Sequence, residues 1–470
     1  MSSDTKYDDF LFTPDLYCND QQVKNSIDEF LTSPTCESMR PKRGDPAPFR
    51  ESVEVLIYNL LVAGDDEVAI PMGREAYSKS RYNKRSLSDR FTNRVRELAK
   101  AGLLKLREGS CGERRRTTVR ASQELAGLIE VLRPFVYAIE NRSETIELRS
   151  KGQLVDYHEL PETCCWREAL GAYNELLAST AIVIPGNAGL YELNRPLHFR
   201  RVFNRSSFEC GGRIYCHTIQ NLKQTTRKSI QIDGQAVVEP DFKGQHPRML
   251  YLLEGVGFPS DKDIYGFWEG ATVSEELLSQ GEVRLRALAK AVLLRSINAS
   301  GRRGACESVK SDEGVTYPSA RALYDAMCEY HQPIAGHFSS GLGIRLQRAD
   351  SDIMLLLLAE LTQRGIVGLP VHDSIIVAAG HMEVASSLMA LSSSFYLGEA
   401  LPIDLPTINK AGERLSSDLY HSELKVAEGV DEPLGLYRLR QPPTTYIKED
   451  EVGLMKRRRR VADWEMVEAL

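Results

Sequence analysis

The amino-acid sequence predicts an α+β protein, in which helices pack on short antiparallel strands. Hydrophobic residues make up 42% of the 470 residues, enough to bury the cores of about three domains. Apolar residues recur at helical spacing in segments such as 285–297 and 353–361. In contrast, 236–238 and 375–377 are short apolar runs next to polar turn residues, as is typical of strands.

The cysteines and the amino terminus predict a soluble, cytoplasmic protein. The nine cysteines contain no Cys-x-x-Cys motif and no cluster with zinc-like spacing, so we expect reduced thiols. The first residues, MSSDTKYDDF, lack the basic and apolar regions of a signal peptide. The apolar run at 353–359 is far too short to cross a bilayer, so we expect no membrane partner.

Charge is distributed unevenly along the chain. The formal net charge is −6, yet residues 74–120 hold 15 Lys and Arg against 5 Asp and Glu, a local balance of +10. Residues 1–35 hold 2 against 7, a balance of −5. Such asymmetry indicates a localised face that binds a polyanion. We expect a poorly ordered acidic arm (1–45), a winged-helix-like DNA-binding domain (46–122), a connector (123–160), a catalytic region (161–400) and a carboxy-terminal extension (401–470).

The basic segment has the pattern of a winged helix. A helix that ends near Gly64 is followed by a second helix that ends at Gly102, and two short strands with a basic turn come next. The cations expected to face phosphates are Arg85, Arg90 and Arg94 near the second helix and Arg114, Arg115 and Arg116 in the wing. The alternative is a solvated charged face on an ordinary helical domain.

A second cationic stretch, 193–232, interleaves arginines and lysines with aromatic residues. Arg213 and Arg227 belong to it, together with Phe203, Phe208 and Tyr215. This mixture suits a groove that stacks bases and neutralises phosphates. An equally good explanation places the aromatic rings in the core and the cations at the solvent boundary.

Two aspartates stand where apolar strands change direction. Asp241 follows the run 236–238, and Asp373 lies in Val-His-Asp-Ser, which is predicted to form the tip of a tight hairpin. Carboxylates on adjacent strands of one sheet can hold two divalent cations about 3.5–4 Å apart, as phosphoryl or nucleotidyl transfer requires. On a predicted helix between them, Arg286 and Lys290 are four residues apart and share one face.

These stretches resemble three motifs of one polymerase family. Asp-Phe-Lys-Gly-Gln-His-Pro-Arg from Asp241 resembles motif A of the family A DNA polymerases and of the single-subunit phage and mitochondrial RNA polymerases. Arg286 to Lys290 resembles the start of their motif B, and Val-His-Asp-Ser resembles their motif C. The three occur in the family's order within residues 211–380. The resemblance implies a right hand with an antiparallel palm sheet and compact helical fingers.

The resemblance also implies roles for individual residues. Asp241, Asp373 and the carbonyl oxygen of Phe242 would hold two Mg²⁺ ions, with Mn²⁺ as a substitute. Arg286 and Lys290 would grip the triphosphate, and Lys290 would also protonate the pyrophosphate leaving group. The residues implied beside the primer end or the base pair are Gln245 and His372.

The chain departs from the family pattern at three positions. Asn298 stands eight residues after Lys290, where the family usually has an aromatic residue beside the incoming nucleotide. His246 stands where the DNA polymerases have a Glu that excludes the ribose 2′ hydroxyl, and its bulk favours deoxynucleotides. Ser374, in contrast, replaces a Glu of the DNA polymerases and favours the RNA polymerases. The sugar therefore stays open.

We expect a template-directed nucleotidyltransferase, a DNA or RNA polymerase, that extends a 3′ hydroxyl on a DNA template or primer-template. Its substrates would be nucleoside triphosphates, and replication of a mobile element is a role that would fit. The main rival is a DNA-binding replication initiator or regulator whose palm has lost turnover, which the missing aromatic residue supports. A two-metal nuclease is a third alternative, although hydrolysis does not need a cationic clamp for a triphosphate.

Overall fold

The computed structural model describes residues 10–405 apart from 40–46, 74–76, 78–79, 84–86, 88–89, 111–114, 187–188, 193–196, 217, 260–261 and 273. Arg85, Arg114 and all of the expected carboxy-terminal extension beyond 405 lie outside the described residues.

The described chain contains both helices and short strands. The helices are α1 (Gln21–Leu31), α2 (Pro34–Met39), α3 (Ala47–Ala63), α4 (Phe91–Lys100), α5 (Gln123–Leu132), α6 (Pro161–Ala178), α7 (Gln224–Arg227), α8 (Gln245–Leu253), α9 (Glu275–Leu278), α10 (Glu282–Asn298), α11 (Arg302–Glu313), α12 (Tyr317–Tyr330), α13 (Gly343–Gln363) and α14 (Met382–Leu397). The strands are β1 (Phe10–Leu11), β2 (Leu16–Cys18), β3 (Val68–Ala69), β4 (Leu104–Arg107), β5 (Thr118–Ala121), β6 (Ile139–Asn141), β7 (Ile146–Ser150), β8 (Gln153–Leu154), β9 (Ile182–Gly186), β10 (Gly189–Glu192), β11 (Arg200–Phe203), β12 (Gly211–Tyr215), β13 (Gln231–Ile232), β14 (Gln235–Val238), β15 (Asp241–Phe242), β16 (Gly368–Val371), β17 (Ser374–Ala378) and β18 (Ile403–Asp404).

This mixture of helices with mostly antiparallel strands fits the expected α+β class. Among the described helices, none combines the length and the apolar character that crossing a bilayer demands. The chain divides into two compact units, residues 1–145 with 177–198 and residues 146–176 with 199–470.

The first unit contains a small sheet with the strand order β1-β3-β5-β4, in which β1 runs parallel to β3 and the other neighbours are antiparallel. The chain order around it is α3, β3, α4, β4, β5. Helix α3 is buried along most of its length, and α4 contributes Phe91, Val95 and Leu98 to the same core. The described part of the basic segment therefore belongs to a folded helix-and-hairpin module.

The structure differs from the expected acidic arm over residues 10–39, which are folded against this module. Asp20 caps α1 by accepting from the amides of Gln22 and Val23, at 2.8 and 3.1 Å. Val23 and Ile27 share the buried face of that helix. The buried side chain of Asn59 accepts from the Thr13 amide (2.7 Å) and donates to the Thr13 carbonyl (2.9 Å). Helical spacing of apolar residues thus outweighs the acidic composition.

The second unit is built around β17, the central strand of a sheet with the order β13-β14-β17-β15-β18. Along one edge, β14 and β15 pair with β17 in a single register, in which Val238 faces Val377 and Asp241 faces Ser374. Strand β16 pairs with the other edge of β17. All five residues of β17 are buried, as its apolar sequence predicts.

Helix α13 packs on β12 and α14 and carries buried charges. Arg201, whose side chain is fully buried, donates to Asp352 at 3.0 Å and stacks against Trp166 and Phe203. Arg213 donates to the buried carboxylate of Asp350 at 2.7 Å. Because a buried charge is stable only when it is paired, these ion pairs hold α13 in one position against the β11–β12 hairpin.

His331, at the end of α12, is fully buried among aromatic rings. Its Nε2 donates to the Ile264 carbonyl (3.0 Å), so its Nδ1 accepts from the Tyr251 hydroxyl (2.9 Å) when the ring is neutral. Burial lowers the pKa of His331 to about 4. The fold therefore requires the neutral ring.

Acidification should destabilise the second unit through His331. Since the pKa in the fold is lower than in the unfolded chain, the stabilisation is complete above about pH 6.5 and is lost as the pH falls towards 4. His331→Gln, which cannot be protonated, should lose about 2 kcal/mol less stability than the wild type between about pH 7.5 and about pH 5. Urea unfolding followed by tryptophan fluorescence measures the difference, and equal losses in both proteins would contradict the explanation.

Candidate active site

The sheet places Asp241 and Asp373 side by side. The Phe242 amide donates to the Asp373 carbonyl at 3.2 Å, and the Ile375 amide donates to the Pro240 carbonyl at 3.1 Å. Residues 372 and 373 form the two-residue turn between β16 and β17. In that turn His372 has a φ of 59°, in the left-handed region that favours glycine. Backbone pairing thus brings together two aspartates that are far apart in the sequence.

This arrangement disfavours the ionised form of Asp241. The Oδ1 atom of Asp241 is buried and has no hydrogen-bond partner in the described structure. Burial raises the pKa of Asp241 to about 7, and repulsion from Asp373, Glu239 and Asp404 acts in the same direction, whereas Lys290 opposes the shift. An unpartnered acidic oxygen beside a second carboxylate is what a divalent cation would stabilise.

A third carboxylate reaches this site from the end of the described chain. In the antiparallel pair β15–β18, Asp404 stands opposite Asp241, and Phe242 stands opposite Ile403. Opposed residues of antiparallel strands project to the same face, so Asp404 adds negative charge on the side of Asp241. The Phe242 side chain is buried beneath the strand.

Asp241 and Asp373 supply two carboxylates, and the neighbouring acids Glu239 and Asp404 add negative charge around them. Within the described ranges, no group of three or more His, Cys, Asp or Glu side chains is arranged to hold a metal ion. The Asp241 oxygen without a partner, beside the second carboxylate of Asp373, is a donor set that a divalent cation would fit.

Helix α10 carries its two cations over a tyrosine that the sequence analysis missed. The Arg286 guanidinium carbon lies 5.1 Å from the centroid of the Tyr265 ring, and Lys290 Nζ lies 5.7 Å from it. Arg286 also donates twice to the carboxylate of Asp263, at 2.5 and 3.0 Å. The expected pair of cations is thus present on one face, but Arg286 already has an acidic partner.

His246 and Gln245 begin α8, just after Gly244, which has a φ of 58°. His246 Nε2 hydrogen-bonds Asp350 at 2.7 Å, so its side chain is tied to the buried Asp350–Arg213 pair. No hydrogen bond or ion pair of the described residues joins His246 to Asp241 or Asp373. The Gln245 amide is buried, and neither of its polar atoms has a partner in the described structure.

His372 directly precedes Asp373 in the turn, and Arg227 is linked to β17 through Glu239. The His372 ring faces the Tyr215 ring at 6.0 Å, and burial lowers the pKa of His372, with Arg213 acting in the same direction. Arg227 donates to Glu239 at 2.8 Å, and Glu239 in turn accepts from the Ser374 hydroxyl at 2.8 Å. Arg213 and Arg227 are thus engaged in ion pairs with buried or half-buried acids.

Asn298 is not brought to the carboxylates by any contact of the described chain. It ends α10, donates to the Leu294 carbonyl at 2.8 Å and packs against Gly343, where a Cβ atom would lie 2.1 Å from its Oδ1. Eight residues of helix separate it from Lys290, which is about 12 Å along the axis.

The cations of the first unit have different environments. Arg90, Arg115 and Arg116 are exposed, and Arg115 lies in the hairpin between β4 and β5, where it pairs with Ser110. Arg94 instead stacks on Phe49 at 5.0 Å, and burial lowers its pKa. Arg94 is therefore partly a packing residue.

Sequence reasoning missed Asp263, Tyr265, Asp350 and Asp404. Asp350 lies inside an apolar helix, where a buried acid implies a buried partner, so that signal was present in the sequence. Asp263 and Tyr265 lie in an irregular segment without periodicity, and β18 is only two residues long. Nothing in their local sequence indicates a site.

A scan against protein-family models and a search of the curated proteins both find no match. Solved structures do match, and among them is the POL domain of Pol1 from M. smegmatis in complex with DNA primer-template and dNTP. It is 10% identical to this chain, with a TM-score of 0.31, and the match covers 52% of this chain and 50% of that one. The chain thus matches about half the length of that structure.

Replacement of Asp241 by Asn should remove both the repulsion and the response to a divalent cation. Because the pKa of Asp241 is raised in the fold, its ionisation destabilises the protein progressively between about pH 4 and pH 7. At about pH 8 without metal, Asp241→Asn should be more stable by on the order of 2 kcal/mol. Millimolar Mg²⁺ should raise the unfolding temperature of the wild type but not that of Asp241→Asn.

The control for this measurement is Glu269→Gln, which removes an exposed carboxylate from the same unit. It should respond to Mg²⁺ as the wild type does. An equal Mg²⁺ response in Asp241→Asn would show that the cation binds elsewhere.

Proposed function

We propose that the chain is a template-directed nucleotidyltransferase that extends the 3′ hydroxyl of a primer on a DNA template. The observation that carries the proposal is the juxtaposition of Asp241 on β15 with Asp373 in the turn before β17, within electrostatic reach of Lys290 on α10. Transfer of a nucleotide from a triphosphate to a hydroxyl requires carboxylates that bind metal ions and cations that bind the phosphates.

Each residue has a chemical task in this proposal. Asp241 and Asp373 bind the divalent cations, which, when bound, would supply charge neutralisation and activation of the attacking hydroxyl. Lys290 attracts the triphosphate and is positioned to hold a proton for the departing pyrophosphate. Arg286 adds positive charge beside it. Arg286 must exchange Asp263 for a phosphate, and the two acceptors therefore compete.

The first unit is proposed to bind DNA as a winged helix. The order α3, β3, α4, β4, β5 and the strand order β3-β5-β4 support this proposal. In it, α4 lies against the duplex, and the hairpin that bears Arg115 and Arg116 is the wing. Exposed cations on the helix and on the adjacent hairpin would neutralise phosphates of the same duplex.

A second candidate function is a DNA-binding regulator that binds nucleotides without turnover. Two observations favour it: Arg286 is already paired with Asp263, and Asn298 occupies the place of the family's aromatic residue without a contact to the carboxylates. The two candidates differ in a single measurable property, which is primer extension.

Asp373→Asn should abolish primer extension while leaving DNA binding nearly unchanged. Loss of one metal-binding carboxylate should lower the rate about a thousandfold or more, since it removes several kcal/mol of transition-state stabilisation. The assay combines purified protein, Mg²⁺, a labelled primer-template and either ribo- or deoxynucleotides in parallel. Glu269→Gln again serves as the control.

The outcomes separate the candidates. Extension by the wild type with only one kind of nucleotide also determines the sugar. DNA binding without extension by either nucleotide favours the regulator, and shortening of the primer or template favours a nuclease. Unchanged extension by Asp373→Asn would refute the assigned carboxylate pair.

The double variant Arg115→Ala with Arg116→Ala should weaken DNA binding and its dependence on salt. Each lost phosphate contact should reduce the slope of log K against log salt by about 0.9. Fluorescence anisotropy with a labelled duplex at several salt concentrations measures this slope. The double variant Arg133→Ala with Arg142→Ala removes the same charge from cations paired with Glu130 and Glu140 and should leave the slope unchanged.

A further inference from the structure

Tyr265 contacts the cations of α10 and is within electrostatic reach of the carboxylate pair, and hydrogen bonds hold the backbone on its amino-terminal side. The Asp263 carbonyl accepts from the Tyr330 hydroxyl at 2.9 Å, and the Ile264 carbonyl accepts from His331 at 3.0 Å. The Tyr265 amide donates to the Asp263 carboxylate at 3.2 Å. Helix α12 and Asp263 therefore determine where the tyrosine ring lies.

The ring supports both cations of the helix. Arg286 and Lys290 are one turn apart on α10, and their charged groups lie 5.1 and 5.7 Å from the same ring centroid. A cation near an aromatic ring is attracted by the ring's negative face, and the attraction is stronger when water is excluded. Tyr265 is 8% exposed, so its side chain is largely shielded from water. The ring thus limits where these two flexible side chains can go.

The hydroxyl of Tyr265 faces the start of α8. A Cβ atom at Gly244 would lie 3.8 Å from this hydroxyl oxygen, in ordinary contact. The hydroxyl has no hydrogen-bond partner among the described residues, although Asp373 and Asp241 are within electrostatic reach of the ring. Burial, together with Asp373, raises the pKa of Tyr265 to about 12, so the hydroxyl stays protonated and can donate a hydrogen bond.

We propose that Tyr265 binds the polyphosphate of the nucleoside triphosphate, with its hydroxyl donating to a phosphate oxygen while its ring positions Arg286 and Lys290. This inference rests on the proposed function and adds a residue to it. A polyphosphate anion is the ligand that suits two cations and a neutral hydroxyl donor on one surface. The adjacent carboxylates repel that anion, and divalent cations bound to them would reverse the repulsion.

Two substitutions separate the roles of the hydroxyl and the ring. Tyr265→Phe keeps the ring and should raise the KM for nucleoside triphosphate about tenfold with kcat within about twofold, since a hydrogen bond to a charged group is lost. Tyr265→Leu removes the ring as well and should lower kcat too, because Lys290 is no longer positioned. The matched control is Tyr324→Phe, which removes a hydroxyl bonded to Ser339 in the same unit.

A binding measurement makes the inference testable without turnover. Isothermal titration with inorganic tripolyphosphate and Mg²⁺ should show about tenfold weaker binding to Tyr265→Phe than to the wild type and to Tyr324→Phe. Equal affinity of Tyr265→Phe and the wild type, with an unchanged KM, would overturn the inference. If tripolyphosphate binding depends on Tyr265 but the wild type does not extend primers, the proposed polymerase activity is refuted. The phosphate site at Tyr265 would still be supported.

Discussion

The pairing of β15 with β17 is the constraint on which the candidate site depends. Two main-chain hydrogen bonds, from Phe242 to Asp373 and from Ile375 to Pro240, fix the register at 3.2 and 3.1 Å. This register holds Asp241 beside Asp373, although each carboxylate disfavours the charge on the other. The backbone pairing and the buried apolar residues of β17 therefore offset a repulsion that a structural protein would have no reason to keep. Such a strained pair of acids is typical of a site that binds cations.

A second set of buried charges has a structural task. Asp350 and Asp352 on α13 pair with Arg213 and Arg201, so the helix is attached to the β11–β12 hairpin at two points. Breaking one such pair would leave a buried charge without a partner, which usually costs about 3–5 kcal/mol. Asp350 also hydrogen-bonds His246, so α13 fixes the orientation of the His246 side chain. His246, which the sequence analysis related to the choice of the nucleotide sugar, is thus also part of a buried polar network.

The cationic helix α10 is placed by contacts on its surface as well as by its own sequence. Asp263 and Tyr265 come from an irregular segment that α12 holds in place, and they engage Arg286 and Lys290. The proposed active site is thus formed by a sheet that supplies acids and by a helical layer that supplies cations. Each layer has its own buried anchors, β17 in the first and His331 in the second.

The sequence by itself determined the local elements: the α+β class, the extent of α10 to Asn298, the hairpin with Asp373 at its tip and the strand of apolar residues before Asp241. These follow from apolar periodicity and turn residues, which act over a few neighbouring positions. Only the tertiary structure decided the partners of the charged side chains. His246 and Asp350 are 104 residues apart, and Arg286 takes Asp263 from 23 residues away. Which acid meets which cation depends on how the elements pack, and no local pattern encodes that choice. The folded state of residues 10–39 was missed for a related reason, since acidic composition describes the exposed face of α1 and says little about the buried one.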